Sequence, residues 1–152
     1  TFRRQRPLLE ALGTLVVHVG PAGAGQAAKL CNNLIAGVTM VAIAEACAVA
    51  EREGIDPEVL YHLLIRSTGD SRVLRTRFPL GGVSPEHPAS KAYEPLFSLD
   101  LMAKDLEAAL ALAAANRVEA SVARTSRDRY REAQTRGAGA LDYSAVYTAL
   151  GR

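Results

Sequence analysis

Gln26-Ala-Ala-Lys29-Leu-Cys-Asn-Asn33-Leu-Ile-Ala-Gly37-Val-Thr-Met-Val-Ala-Ile-Ala-Glu45-Ala-Cys-Ala-Val-Ala-Glu-Arg-Glu53 is the stretch that decides the fold. No proline interrupts it, and Gly54 followed by Ile55 closes it as helices commonly end. Between residues 34 and 50, Ala, Val, Leu and Ile leave too few polar positions for a helix with one wet face. The pattern predicts a long central helix covered on most sides by flanking helices and a second subunit. Residues 34–50 also meet the lower length limit for a membrane span, with Glu45 their single charge. Gly37, Thr39 and the many alanines favour the core of a soluble domain, and no membrane is expected.

Downstream, Asp56-Pro57 supplies an N-cap and a proline at the first helical position, opening a helix to about Ser67. Ser71 to Phe78 adds a short helical turn. Pro79 to Pro95 holds four of the seven prolines and reads as the long loop. Leu99, Met102, Leu106, Leu110 and Ala113 recur at three- and four-residue steps, which predicts an amphipathic helix to Asn116. Glu119 to Arg136 predicts another, broken by Gly137-Ala-Gly139, and Ser144 is expected to cap a last short helix through Leu150. Upstream, residues 7–12 read as the tail of a helix with Gly13 as its C-cap. Thr14-Leu-Val-Val-His-Val19 then reads as a short β-branched strand ended by Gly20-Pro21. A lone strand makes no sheet. The expected fold is therefore all-α, a helical domain built on a long central helix and preceded by a strand stub. The stub, with Thr1 as the opening residue, suggests the C-terminal part of something longer.

Composition narrows the function. The 152 residues are 49% hydrophobic and 22% charged, enough for one domain with a real core and too apolar for a disordered chain. A net charge of +2 with 5% aromatic residues supplies no nucleic-acid surface. No signal peptide is expected from the opening residues. Cys31 and Cys47, on one helix, would stand roughly 24 Å apart, far beyond bridging distance, so a reducing cytoplasm is expected. His18, His62 and His87 have no partners at metal-ligand spacing, and no metal is expected. Arg66, Arg72, Arg75 and Arg77 form a small basic segment, suited to solvent or to anionic groups of a substrate or cofactor.

The glycines before the long helix invite a second reading. Gly23-x-Gly25-x-x-Ala28 follows the strand and opens a helix, as does a dinucleotide fingerprint whose backbone N–H groups receive a pyrophosphate. That motif needs a second strand and an acidic residue about 20 residues later. Here the helix runs on through that position, with Glu45 in its middle. A tight strand-to-helix turn explains the glycines more simply. Lys29 is harder to explain as structure. It lies in the first turns of an apolar helix with Asn33 at i+4 on the same face. Helix N-terminus and burial both raise the cost of its positive charge and would tune a lysine to give and take a proton, while spacing alone equally allows a surface lysine that snorkels over the helix. Only three of the 18 basic residues are lysines, and a titratable ammonium does chemistry that a guanidinium cannot.

The run from Gly20 to Asn33, Gly-Pro-Ala-Gly-Ala-Gly-Gln-Ala-Ala-Lys-Leu-Cys-Asn-Asn, resembles the signature of the β-hydroxyacid dehydrogenases. That family includes 3-hydroxyisobutyrate dehydrogenase and tartronate semialdehyde reductase, with 6-phosphogluconate dehydrogenase more distant. The similarity continues through Glu45-Ala46 and Glu53-Gly-Ile-Asp56. It returns at Phe97-Ser-Leu-Asp-Leu-Met-Ala-Lys-Asp-Leu106 and closes at Asp142-Tyr-Ser-Ala-Val-Tyr147, so it covers nearly the whole chain.

The resemblance implies that residues 1–20 are the last helix and strand of an N-terminal Rossmann domain, and that residues 21–152 form the helical C-terminal domain. It implies an oxidoreductase interconverting a hydroxy acid and its semialdehyde or keto form. NAD or NADP is then the cofactor, bound mainly by the N-terminal domain. Lys29 matches the family's catalytic lysine, which donates a proton during reduction and recovers it during oxidation. Asn33 matches the asparagine that hydrogen-bonds the substrate, and its neighbour Asn32 supports the same site. Lys104 matches a lysine that approaches the nicotinamide cofactor, with Phe97 in the segment flanking it. Asp105 is read as structural, capping or pairing within its own helix. The implied partners are a small hydroxy-acid or semialdehyde substrate and a second copy of the chain, as a homodimer or larger homo-oligomer. The chain by itself is expected to fold without catalysing. The alternative function is a helical oligomerisation module of a related reductase.

Overall fold

The helices that the apolar periodicity outlines are all present in the computed structural model, which describes residues 2–150; Thr1, Gly151 and Arg152 lie outside the described residues. The order is α1 (Phe2–Glu10), α2 (Ala24–Arg52), α3 (Pro57–Leu64), α4 (Arg72–Arg77), α5 (Leu99–Ala115) and α6 (Ser121–Thr135). Two 3-10 segments, Pro88–Lys91 and Tyr143–Ala149, complete it. The domain is all-helical.

Each boundary has a local cause. Gly23 enters α2 at φ 92°, a backbone that side-chain-bearing residues avoid. At the other end Gly54 takes φ 72°, its N–H donating to Glu51 O at 3.1 Å while Ile55 N–H donates to Ala50 O at 2.9 Å. That pair of bonds is a Schellman closure. Asp56 caps α3 through Glu58 and Val59 N–H, Ser71 caps α4 through Leu74 N–H, and Ser98 caps α5 through Leu101 N–H.

Two expectations are corrected, and a third is met in part within the chain. Thr14 to Val19 forms no strand: without a neighbouring strand its backbone has no ladder to join, and Leu15, Val17 and Val19 are exposed. The last 3-10 segment is capped by Asp142, which accepts from Ser144 N–H, and Ser144 is the donor rather than the cap. The central helix is covered on one side only. It is apolar and long enough to cross a membrane, yet 39% of its most apolar window is buried, and Ile35 and Val49 stay 65% and 61% exposed. The elements beside it are too short to wrap it, and α1 buries nothing.

The covered side holds the core. Met40, Ala44 and Cys47 of α2 meet Leu99, Met102 and Leu106 of α5, Tyr130 and Ala133 of α6, and Val146 of the last segment. Each fully buried Leu contributes about 1.5–3 kcal/mol. Gly37 sets the approach of α5. A Cβ there would lie 3.0 Å from Met102 Sδ and 3.1 Å from Leu106 Cδ1. Its carbonyl accepts the buried Tyr130 hydroxyl at 3.1 Å.

Candidate active site

The close crossing at Gly37 brings the first turns of α2 against the first half of α5, and the sequence-predicted residues meet there. Lys29 Nζ lies 3.2 Å from Asp105 Oδ2. Asn33 Nδ2 donates to the same oxygen at 2.6 Å, and Asn32 Nδ2 donates to Asn33 Oδ1 at 3.0 Å. The chain of contacts runs Asn32, Asn33, Asp105, Lys29, with the carboxylate as its hub. Asp105 sits on the buried stripe of α5 between Met102 and Leu106 and is 7% exposed. A buried carboxylate is stable only when paired and hydrogen-bonded, and α2 supplies both partners.

This corrects two readings. Asp105 pairs across the helix interface and not within its own helix. The signal was present in the sequence, since an acidic residue on an apolar stripe needs a partner from another element. Lys29 is not buried: its side chain is 52% exposed. Its charge is matched by a carboxylate, while its Nζ remains open to a ligand.

Asn32 and Asn33 also line a cleft of about 290 Å³, closed by Arg77, Phe97, Met102 and Tyr143. The loop 93–98 is fixed there by the C-terminal segment. Asp142, wholly buried, accepts from Leu96 and Phe97 N–H at 3.1 and 3.2 Å through Oδ2, and from Ser144 N–H and hydroxyl through Oδ1. Phe97 is thereby set edge-on to Tyr143, ring centres 6.1 Å apart. Burial pushes the Tyr143 phenol above its ordinary 10.0; the Arg77 guanidinium opposes this and the Asp142 charge adds to it. The phenol is therefore neutral at pH 7. Lys104 projects, exposed, from the step of α5 before Asp105. Its ammonium at the surface and the Phe97 ring on the cleft wall are suited to a cofactor that carries phosphates and a planar ring. Arg77 joins this cleft, a role that the run of arginines in the sequence did not single out.

The family model that matches is described as the NAD-binding domain of NADP-dependent 3-hydroxyisobutyrate dehydrogenase, and it covers residues 23–150. A probable 3-hydroxyisobutyrate dehydrogenase of Mycobacterium tuberculosis is 39% identical over 150 residues, 99% of this chain and 51% of the relative. The 3-hydroxyisobutyrate dehydrogenase of Pseudomonas aeruginosa is 45% identical over 120 residues, 79% of this chain and 40% of the relative. Among solved structures, Mycobacterium tuberculosis 3-hydroxyisobutyrate dehydrogenase with L-serine superposes with a TM-score of 0.93 at 38% identity. That match covers 99% of this chain and 52% of the solved one. The chain thus spans about half the length of the relatives it matches.

Proposed function

The chain belongs to the 3-hydroxyisobutyrate dehydrogenase family, and on that footing we propose that it is the helical, substrate-facing half of an NAD(P)-dependent oxidoreductase acting on a small hydroxy acid. The observation that carries this reading is Asn33, which at once holds the Lys29–Asp105 pair and lines the cleft. A 3-hydroxy acid is the substrate class. L-serine, present with the Mycobacterium tuberculosis relative, and 3-hydroxyisobutyrate both belong to it.

The chain's own residues then divide the work. In oxidation, Lys29 as the neutral amine takes the proton of the substrate hydroxyl while the hydride leaves the carbon for the bound cofactor; in reduction, as the ammonium, it returns that proton to the oxygen, stabilising the charge that develops there. Asp105 holds the Lys29 side chain beside Asn33. Asn33 has one amide N–H engaged by Asp105 and a second left for a substrate oxygen. Lys104 and Phe97 would hold the cofactor, which when bound supplies or accepts the hydride. Residues 1–20 and the dinucleotide site then belong to a separate N-terminal domain, and this chain alone is inactive because the reacting partners are not held together. Two copies pair through the exposed apolar side of α2, in the cytoplasm.

The test is made on the complete protein, following NAD(P)H absorbance with 3-hydroxyisobutyrate and with L-serine. Lys29→Ala lowers kcat by on the order of 10²-fold or more. Near-normal kcat in that variant would refute the assignment of the proton to Lys29.

A further inference from the structure

Tyr143 opens the last 3-10 segment and forms part of the cleft wall, with the residue as a whole only 4% exposed. Two neighbours fix its ring: Phe97 stands edge-on to it, and the Arg77 guanidinium lies 4.9 Å from its centre. A buried tyrosine hydroxyl usually finds a partner. The other four tyrosines each donate theirs within the chain, Tyr61 to Arg75 O, Tyr93 to Pro79 O, Tyr130 to Gly37 O and Tyr147 to Glu51 Oε2. The Tyr143 hydroxyl has no such partner among the described residues. Nor is it sealed in apolar packing, where the unpartnered side-chain atom among the described residues is His87 Nδ1. The oxygen therefore opens onto the cleft. That cleft has no charge to offer a ligand. Arg77 is matched by the buried Asp142 carboxylate, and the amides of Asn32 and Asn33 and the phenol are neutral. Asn33 also ties the cleft to Lys29 through Asp105. With the reacting oxygen on carbon 3 at Asn33, and the charged carboxylate unsuited to neutral walls, the group left for the cleft is the uncharged substituent on carbon 2.

Resting on the reading of the site given above, we propose that Tyr143 is a specificity-determining residue whose hydroxyl hydrogen-bonds an uncharged polar substituent on carbon 2 of the 3-hydroxy acid. A methyl group in that place leaves the phenol unpaired in a desolvated site, which weakens binding; a hydroxyl of nearly the same size pairs with it as donor or acceptor. The wall thereby favours 3-hydroxy acids that are polar at carbon 2 over those that carry a methyl branch there.

The experiment compares glycerate, with a hydroxyl on carbon 2, and 3-hydroxyisobutyrate, with a methyl there, as racemates in the complete protein and in Tyr143→Phe. Phenylalanine keeps the ring against Phe97 and Arg77 and removes only the oxygen. The ratio of kcat/KM for glycerate to that for 3-hydroxyisobutyrate falls about tenfold, the scale of one hydrogen bond and of the unpaired group it prevents. An unchanged or raised ratio, whether both substrates suffer equally or neither does, would overturn the proposal. So would a Tyr143→Phe chain that fails to fold, since the hydroxyl would then have its partner inside the chain. Lys29→Ala reports separately on the dehydrogenase reading, through kcat on both substrates. If neither acid is turned over, calorimetry with lactate and isobutyrate still reads Tyr143, because these differ by the same hydroxyl and methyl and lack the reacting group. Tighter binding of lactate, with a preference about tenfold smaller in Tyr143→Phe, supports the proposal. The same preference in both proteins, or none in either, overturns it.

Discussion

Replacing Asp105 with Asn tests the hub of the site, because it keeps the shape and removes the charge. Two interactions change. The bond from Asn33 Nδ2, 2.6 Å long, falls from a charge-assisted bond worth about 1.5–3 kcal/mol to a neutral one worth about 0.5–1.5. The ion pair to Lys29 is lost, and with Lys29 half-exposed it is worth no more than about 1 kcal/mol. Against these stands the relief of no longer burying a carboxylate on the apolar stripe of α5. The net expectation is a destabilisation of about 1–2 kcal/mol, or a fall in Tm of about 2–8 °C for a chain of this size. Thermal unfolding by circular dichroism measures it. A double-mutant cycle with Lys29→Met isolates the ion pair, with a coupling of about 0.5–1 kcal/mol expected. Strict additivity with Lys29→Met would mean that the carboxylate is not the partner of Lys29, and Asp105→Asn more stable than wild type would mean that burying the carboxylate costs more than its two contacts return.

The α2–α5 crossing should be equally sensitive to volume. Gly37→Val drives a branched side chain into Met102 and Leu106 and is expected to cost about 1–3 kcal/mol in urea unfolding; Gly37→Ala costs less, because the gain in helix propensity of about 1 kcal/mol offsets the crowding. Thiol titration at about pH 8 should count one reactive cysteine in the folded chain and two in denaturant. Cys31 is exposed, whereas burial, with the Glu51 charge adding to it, pushes the Cys47 thiol up to about 12. Arg75 grips Asp70 with two bonds of 2.7 and 2.9 Å and holds its carboxyl below the ordinary 3.8. Such a lowered value stabilises the fold above the unfolded-state value and is lost as pH falls through the folded one. The stability difference between wild type and Asp70→Asn, measured by denaturant midpoints, should therefore shrink below about pH 4 and vanish in stronger acid.

The helices were legible because their signals are local. Gly54, Asp56-Pro57, Ser71 and Ser98 each close or open an element within four residues of themselves. The candidate strand failed for the opposite reason. β-branched residues make a strand only when another strand accepts their backbone bonds, and that information is not in Thr14 to Val19. Lys29 and Asn33 could be paired in advance by their i,i+4 spacing on one helix. Asp105 joins them across 72 positions of sequence, and Arg77 reaches Asp142 across 65. Spacing along a helix says nothing about either. The cover of α2 was legible only in part, because its composition does not distinguish cover from the same chain and cover from another.

Asp142 gives the order of manufacture a role. Synthesis delivers α2 and α5 before the last segment, so Lys29, Asn33 and Asp105 are all present while Tyr143 to Ala149 is still being made. The Phe97 and Arg77 wall does not: Leu96 and Phe97 wait for a side chain 46 and 45 positions later, and Glu51 of α2 waits for the Tyr147 hydroxyl 96 positions later. A nascent or prematurely terminated chain would carry the Lys29–Asp105 pair without the wall that closes the cleft, so the two parts of the site are completed at different times, with the wall the last to arrive.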